Sequence, residues 1–406
     1  VRRIRTPFGR LAGVLAALVL AATAPVAAAV PAQAASLAQV TGFGTNPGNL
    51  AMYAYRPDNL PAGAPAVVLL HGCAQDAAGY FANSGWRRYA DQWKFTVIVP
   101  EQRSANNSSA CFNWFEIGDT SRGQGEVLSI KQMVDHARSR YGTAADRVYV
   151  SGLSGGGAMS AALLATYPEV FAAGSVIAGL PYRCATGMVN AFSCMNPGVD
   201  KTPAQWGDLV RAAHPGHSGP RPRVAIWHGT ADYTVATANA VESRDQWTNV
   251  LGVTQTPTST AQLPGGTSLE VYGRDAVRLY RISGMGHGTP VDPGTAMDQC
   301  GTAAAYFLDT ICSTYRDALF FGLDGGGTPP PTPSPTVSPS PTVSPSPTGV
   351  PTCVTASNYA HVVAGRAYHS GGYAYANGSN QRMGLYNTFY TTALRQIAPN
   401  HWTIGC

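Results

Sequence analysis

One stretch of this chain cannot join any packed core, and it divides everything else. Residues 325–352 hold ten of the 30 prolines and no charged side chain. The unit Pro-Thr-Val-Ser-Pro-Ser begins at Pro335 and again at Pro341. Proline removes backbone donors and fixes φ, and Ser and Thr bring little apolar surface, so such a segment favours extended polyproline geometry. At about 3.1 Å per residue it could reach on the order of 80 Å. A chain of 406 residues interrupted in this way reads as two folded parts joined by a stiff linker. The large part is expected over 35–324 and the small one over 353–406. The arrangement suits an enzyme that works on an immobile polymer, although a plain spacer would look the same.

The first 34 residues have the form of a signal peptide. Arg2, Arg3, Arg5 and Arg10 make a basic start. Residues 11–24 are mostly apolar but too few to span a bilayer, and Ala32-Gln33-Ala34 fits a small-x-small cleavage site. The mature, secreted protein is expected to begin near Ala35, a retained signal anchor being the alternative. No later segment is apolar enough to span a membrane. The net charge of +5 rests on the same arginines: removing those four from the 27 basic residues leaves 23 against 22 acidic ones. A balance of +1 gives no electrostatic footprint for nucleic acid or an anionic membrane, and neither is expected as a partner. A monomer acting outside the cell is the expectation.

The eight cysteines agree with an oxidising destination. Their number is even and no C-x-x-C motif occurs. Sequential pairing is the simplest scheme: Cys73–Cys111, Cys184–Cys194, Cys300–Cys312 and Cys353–Cys406. Eight cysteines allow 105 connectivities, so the scheme stays an expectation.

Between signal and linker, short apolar runs alternate with helical patterns. Ala66-Val67-Val68-Leu69-Leu70 ends at His71-Gly72, and Phe95-Thr96-Val97-Ile98-Val99 ends at Pro100. Arg147-Val148-Tyr149-Val150 runs into Ser151-Gly152. Val224-Ala225-Ile226-Trp227 runs into His228-Gly229, and the run 277–282 into Ser283-Gly284. Bounded runs of this kind are expected as buried parallel strands. Helices are expected over 126–141, 154–167, 238–251 and 301–321. The alternation predicts an α/β domain with a mostly parallel sheet, whose sites gather at the carboxyl ends of the strands.

Three of those strand ends carry chemistry. Gly152-Leu153-Ser154-Gly155-Gly156 matches G-x-S-x-G. Gly216-His217-Ser218-Gly219 nearly matches it but follows no strand, so context selects Ser154. A nucleophile on a sharp strand-to-helix turn needs glycine two residues before and after, where neighbouring chain passes close. A serine hydroxyl needs a base, and in this chain order an acid and then a histidine should follow. His287 lies just past a strand in Gly284-Met285-Gly286-His287-Gly288. Asp232 lies five residues past Trp227 and should orient His287; Asp292 is the runner-up acid, with Asp200 and Asp208 weaker. His71 and His228 precede glycine in turns, where backbone bonding is the plainer role. The N–H groups of Gly155 and Cys73 are the expected oxyanion donors. This chemistry requires no metal or organic cofactor.

These residues resemble a known family. His71-Gly72-Cys73-Ala74-Gln75, Cys111-Phe112-Asn113-Trp114-Phe115, Arg122-Gly123-Gln124-Gly125-Glu126, Gly152-Leu153-Ser154-Gly155-Gly156, His228-Gly229-Thr230-Ala231-Asp232 and Gly286-His287-Gly288 occur in order. Together they resemble the secreted polyhydroxybutyrate depolymerase esterases over roughly 36–322. The resemblance implies an α/β-hydrolase fold and a Ser154–Asp232–His287 triad. It implies hydrolysis of a short-chain polyhydroxyalkanoate such as poly(3-hydroxybutyrate), at an insoluble polyester surface. The same family is similar to feruloyl and acetylxylan esterases, which leaves cell-wall polysaccharide as the alternative partner. Trp114, Trp86 and Trp227 could line the substrate cleft or sit in the core.

Residues 353–406 contain three arginines, no acidic residue and eight aromatics. So small a core needs a staple, which Cys353–Cys406 would supply. Tyr373 and Tyr375 would share a face if their segment is a strand. Most of the aromatics are expected to form the little core, the rest being free to adsorb to a surface. The run Gly365-Arg366-Ala367-Tyr368-His369-Ser370-Gly371-Gly372-Tyr373 is similar to C-terminal modules of secreted polyhydroxybutyrate depolymerases, which implies substrate binding.

Overall fold

The computed structural model describes residues 35–325, 353–370, 372–398 and 401–405. The expected signal peptide at 1–34 and nearly all of the linker lie outside them. The chain divides into two compact units between Thr336 and Val337, inside the proline-rich stretch.

The large unit is built on a ten-stranded sheet among the described residues. Its strands are β1 (Ala38–Val40), β2 (Ala51–Tyr55), β3 (Ala66–Leu70), β4 (Thr96–Glu101), β5 (Val148–Leu153), β6 (Ala173–Ile177), β7 (Arg223–Gly229), β8 (Ser259–Leu263), β9 (Thr267–Tyr272) and β10 (Val277–Ile282). The order is β1-β2-β4-β3-β5-β6-β7-β10-β9-β8. The six strands from β4 to β10 are parallel, with antiparallel pairs at both edges. The five apolar runs read from the sequence are β3, β4, β5, β7 and β10. β6 escaped because Ala-Gly-Ser-Val-Ile has only two bulky residues. The β8–β9 hairpin turns at Gly265 and Gly266, both at positive φ, a conformation glycine adopts freely.

Alternate residues of β3 enter opposite cores. Ala66, Val68 and Leu70 face one, and Val67 and Leu69 the other. The first core is closed by α3 (Gly125–Tyr141), α4 (Gly155–Thr166), α6 (Pro203–Ala213) and α7 (Ala238–Val250). The second is closed by α1 (Ala77–Asn83), α2 (Trp86–Trp93) and α8 (Ser313–Phe321). A short helix, α5 (Met188–Met195), stands over the carboxyl end of the sheet between β6 and α6. Every residue of α4 is buried, which its run of Gly, Ala and Leu permits. No helix among the described residues is long and apolar enough to cross a membrane.

The helix expected over 301–321 is shorter than its pattern. Only Ser313–Phe321 is helical, capped by Cys312, whose Sγ accepts from Tyr315 N–H at 3.1 Å. The residues before it form β12 (Phe307–Asp309), parallel to β11 (Thr289–Val291). Pairing with β11 and the Cys300–Cys312 disulfide hold this segment extended. Cys73–Cys111 and Cys184–Cys194 also pair as expected. Cys353 is disulfide-bonded; its expected partner, Cys406, lies outside the described residues.

The small unit contains β13 (Cys353–Ser357), α9 (Asn358–Val363), β14 (Ala367–Ser370), β15 (Tyr373–Ala376), β16 (Arg382–Leu385), β17 (Thr391–Ala398) and β18 (His401–Ile404). They make two antiparallel sheets, β13-β17-β18 and β14-β15-β16. Tyr373 and Tyr375 do share a face, alternating with buried Ala374 and Ala376. The expectation that most aromatics form the core is corrected. The core is Ala367, Ala374, Ala376, Met383, Leu394 and Trp402, while Tyr359, Phe389 and Tyr390 are exposed. Three alanines occupy interior positions beside Trp402, the one ring in that core, with Tyr386 packed against it.

One buried acid locks α8 to the sheet. Trp227 stacks on Tyr280 with centroids 3.6 Å apart, and its Nε1–H donates to Asp317 Oδ1 at 2.8 Å. Burial raises the Asp317 carboxyl from 3.8 to about 7, against the opposing hydrogen bond from Trp227. The native state therefore keeps a proton that the unfolded chain has lost. That stability is complete below about pH 4 and disappears as pH rises through about 7, at about 1.4 kcal/mol per pKa unit. Asp317→Asn should flatten the fall. Urea midpoints at about pH 4.5 and about pH 8 measure it, and an unchanged pH slope in the variant would refute the assignment.

Candidate active site

The site begins at the turn from β5 into α4. Ser154 has φ 55° and ψ −116°, a conformation that non-glycine residues seldom adopt. It is held by its N–H donating to Ile177 O at 2.8 Å and its carbonyl accepting from Ala158 N–H at 2.9 Å. The flanking glycines are required sterically. A Cβ on Gly152 would lie 2.4 Å from Gly156 O, and one on Gly156 would lie 2.3 Å from Leu70 O. A side chain at either position would push the turn off β3.

Asp232 and His287 come from the loops after β7 and β10. His287 Nδ1 and Asp232 Oδ2 are 2.7 Å apart. Asp232 Oδ1 accepts from the N–H groups of Thr234 and Val235, each at 2.9 Å. Burial alone would raise this carboxyl. The hydrogen bond and charge of His287, with the Val235 N–H, hold it below its ordinary value and keep it ionised. The carboxylate fixes the proton of His287 on Nδ1 and leaves Nε2 as an acceptor. The two loops are tied together: Gly284 N–H donates to Thr230 Oγ1 at 2.9 Å, and Ala231 N–H to Met285 O at 3.0 Å. A Cβ on Gly229 would lie 2.2 Å from Met285 O, so glycine is needed where they cross.

Ser154 and His287 line one cavity of about 140 Å³ with Gly72, Cys73, Gln75 and Tyr306. Cys73 sits on the loop after β3, and its Sγ would be 3.2 Å from a Cβ on Gly155. Gly155 opens α4, where a helix leaves its N–H groups without intrahelical acceptors. Among the described residues neither the Cys73 nor the Gly155 N–H has a backbone acceptor. The arrangement offers a hydroxyl, a charge-supported base and the Cys73 loop around one volume, with the Gly155 N–H next in the chain to Ser154. That set is suited to acyl transfer.

The other sequence candidates fall differently. Trp114 is buried beside the site, its Cδ1 3.5 Å from the Gly155 Cβ position. Trp86 and Trp227 are core residues and do not line the cavity. Trp86 packs between Phe95 and Phe321, and Trp227 between strands and α8, because each lies on a buried sheet-facing surface. Asp292 accepts from Gln299 Nε2 at 3.3 Å and does not meet His287. His71 bonds backbone as expected: its Nδ1 lies 2.8 Å from Gly72 O, and its Nε2 accepts from Gln102 N–H at 3.1 Å. His228 Nε2–H donates to Val235 O at 2.9 Å. Met195, Thr234 and Tyr306 also line the cavity and were not singled out in the sequence. Thr234 and Tyr306 come from irregular connections that carry no periodic signal, and Met195 ends the short helix α5. Among the described residues, Glu169, His214 and His217 bring ligand atoms within 4.8 Å of one another, and Arg122 already binds Glu169 Oε1 at 2.6 Å. None of the three lines the cavity.

Two segments that reach the cavity, through Met195 and Thr234, expose apolar side chains. Residues 184–199 carry no charge, and Met188, Val189 and Phe192 on α5 are exposed, Val189 by 84% and Phe192 by 67%. The Cys184–Cys194 disulfide closes this segment, and Met195 at its end reaches the cavity. Tyr233, 85% exposed, is fixed nearby by Asn196 Nδ2 donating to its carbonyl at 3.0 Å.

Residues 50–272 match the family described as Esterase PHB depolymerase. Over 308 residues the chain is 54% identical to poly(3-hydroxyalkanoate) depolymerase C of Paucimonas lemoignei, covering 74% of each chain. It is 38% identical to an acetylxylan esterase of Coprinopsis cinerea, over 69% of this chain and 76% of that one. The solved acetyl xylan esterase from Aspergillus awamori matches with a TM-score of 0.61 at 30% identity, covering 71% of this chain and 99% of that one. The parallel sheet, the helices on both faces and the turn at Ser154 make an α/β-hydrolase fold, and the chain belongs to the esterase PHB depolymerase family.

Proposed function

We propose that this protein is a secreted serine esterase that hydrolyses a short-chain polyhydroxyalkanoate such as poly(3-hydroxybutyrate). The observation that carries the reading is the 2.7 Å contact between His287 Nδ1 and Asp232, with Ser154 on the same cavity. Ser154 Oγ gives its proton to His287 Nε2 and attacks the ester carbonyl carbon. The N–H groups of Cys73 and Gly155 hold the negative oxygen of the tetrahedral intermediate. The intermediate collapses, the alcohol leaves with the proton from Nε2, and an acyl group remains on Ser154. Water gives a proton to Nε2 and attacks that acyl carbon. The acid departs, and the proton returns to Oγ. Asp232 stays ionised and stabilises the imidazolium formed in each half.

Two features favour a polyester over a sugar ester. Val189, Phe192 and Tyr233, on the segments that carry Met195 and Thr234 to the cavity, expose apolar surface, which fits a solid apolar polymer. The Paucimonas lemoignei relative named for polyhydroxyalkanoate is 54% identical, against 38% for the acetylxylan esterase. In this reading residues 1–34 direct export, and the disulfides suit an oxidising compartment. The 353–406 module holds the catalytic unit at the surface through the linker, and the enzyme acts as a monomer.

Ser154→Ala should abolish hydrolysis of p-nitrophenyl butyrate while leaving the near-ultraviolet dichroism unchanged. Residual activity within about tenfold of the parent would remove Ser154 from the chemistry. A chain ending at Asp324 should keep the soluble-ester activity and clear a poly(3-hydroxybutyrate) suspension more slowly. If the full chain splits soluble esters but clears no polymer, the substrate moves to feruloyl or acetyl esters of cell-wall polysaccharide.

A further inference from the structure

Behind the proposed oxyanion donors lies a carboxyl group that touches neither cavity nor solvent. Glu126, in the first turn of α3, is 1% exposed. Its Oε1 accepts from Gln102 Nε2, and its Oε2 accepts from Asn113 N–H at 2.9 Å. Both partners lie on the connection between β4 and α3. The orientation of the Gln102 amide is set by its other contacts, since its Oε1 accepts from Asn106 Nδ2 at 2.8 Å and Arg103 N–H at 3.0 Å. Gln102 Nε2 therefore faces Glu126 and also donates to Cys111 O at 3.0 Å.

From this carboxyl, three routes lead to the donor pair. Gln102 N–H donates to His71 Nε2, and His71 Nδ1 lies 2.8 Å from the carbonyl of Gly72, the residue before Cys73. Cys111, held through its carbonyl, is bonded to Cys73 by the disulfide. Asn113, held through its N–H, precedes Trp114, whose ring lies against Gly155. One side chain thus fixes the segments on both sides of the donors.

We propose that Glu126 is a positioning residue for the oxyanion site, setting the separation of the Cys73 and Gly155 N–H groups through Gln102, Cys111 and Asn113. The inference rests on the acyl-transfer reading given above. Burial opposes the charge of this group, and so does Asp119, whose Oδ1 accepts from Glu126 N–H at 3.2 Å. Together they lift its pKa to about 8, against the Asn113 and Gln102 hydrogen bonds, which favour the ionised form in which both oxygens accept. A buried acid is a poor stabiliser compared with an apolar side chain of similar size. What it supplies here is direction: two acceptor atoms aimed at two donors on a loop with no regular structure of its own.

The test is a double-mutant cycle in the full chain, with Glu126→Gln, Gln102→Leu and the pair. The readouts are kcat and KM for p-nitrophenyl butyrate, and affinity for a phenylboronic acid that adds to Ser154 as a tetrahedral anion. Glu126→Gln sets an amide N–H₂ against a donor at one end. It should lower kcat and boronate affinity together by about tenfold, with KM within about twofold, because only the tetrahedral state uses both donors. Gln102→Leu cuts the same joint from its other side, and the two losses should fall short of multiplying. If Glu126→Gln does not melt cooperatively, Gln102→Leu alone carries the comparison. Parental kcat and boronate affinity in a folded variant, or fully multiplicative losses, would overturn the proposal. Failure of the acyl-transfer reading itself shows separately, as activity surviving in Ser154→Ala.

Discussion

The close approach of three backbones at the end of β5 sets the geometry of everything around it. Ser154 can occupy its left-handed turn because Gly152 and Gly156 bring α4 against the carbonyls of Leu70 and His71. The same approach places the loop after β3, with Cys73, beside the first residue of α4. A methyl group at either glycine would displace α4, and with it the Gly155 N–H and the Ser154 hydroxyl. The turn is therefore stabilised from outside. Ile177 on β6 holds its N–H, and a helix buried on every side gives it no room to relax. Backbone strain persists at a site when its surroundings leave no alternative conformation.

What could be read from sequence follows from this economy. Ser154, Asp232 and His287 were legible because each follows an apolar strand and sits among glycines, and those glycines have steric causes at 152, 156 and 229. The strands and helices with regular periodicity were equally plain. The misreadings share a different cause. The 301–312 segment has helical composition, but a disulfide and a two-stranded pairing hold it extended, and neither leaves a local signal. Trp86 and Trp227 looked like possible cleft residues because an aromatic ring has the same sequence signature in a core as at a site. Thr234 and Tyr306 reach the cavity from irregular chain and Met195 from the end of the short helix α5, where only the tertiary fold decides direction. In the small unit, three alanines share the interior with Trp402 while Tyr359, Phe389 and Tyr390 are exposed, against the usual ranking by size.

The buried acids of the catalytic unit form a second pattern. Asp317 accepts from the indole of Trp227, Glu242 from the indole of Trp206, and Glu126 from Asn113 N–H. Burial raises all three, to about 7, about 7 and about 8. Each joins two elements that apolar packing alone would let slide: α8 to β7, α7 to α6, and α3 to the loop before it. Asp232 is the contrast. It is buried as deeply at its side chain, yet its neighbours His287 and Val235 hold its value down. The difference lies in the partner. Three acids face neutral donors and resist ionisation, while one faces a base that becomes cationic during the proposed reaction.

That contrast also bears on how a solid polymer could be handled. A cavity of about 140 Å³ admits only a short piece of chain at a time. In the proposed reading the rest of a polyester stays outside it, and exposed Met188, Val189 and Phe192 offer apolar surface in place of its neighbouring chains. Apolar contact of this kind is non-directional, so it can hold a strand without fixing its register. In that reading register comes from the polar groups of the site, oriented by Asp232 on one side and, as proposed, by the Glu126 joint on the other. Adhesion and alignment are then assigned to different residues. An apolar contact that slips along a surface is compatible with chemistry that tolerates little displacement.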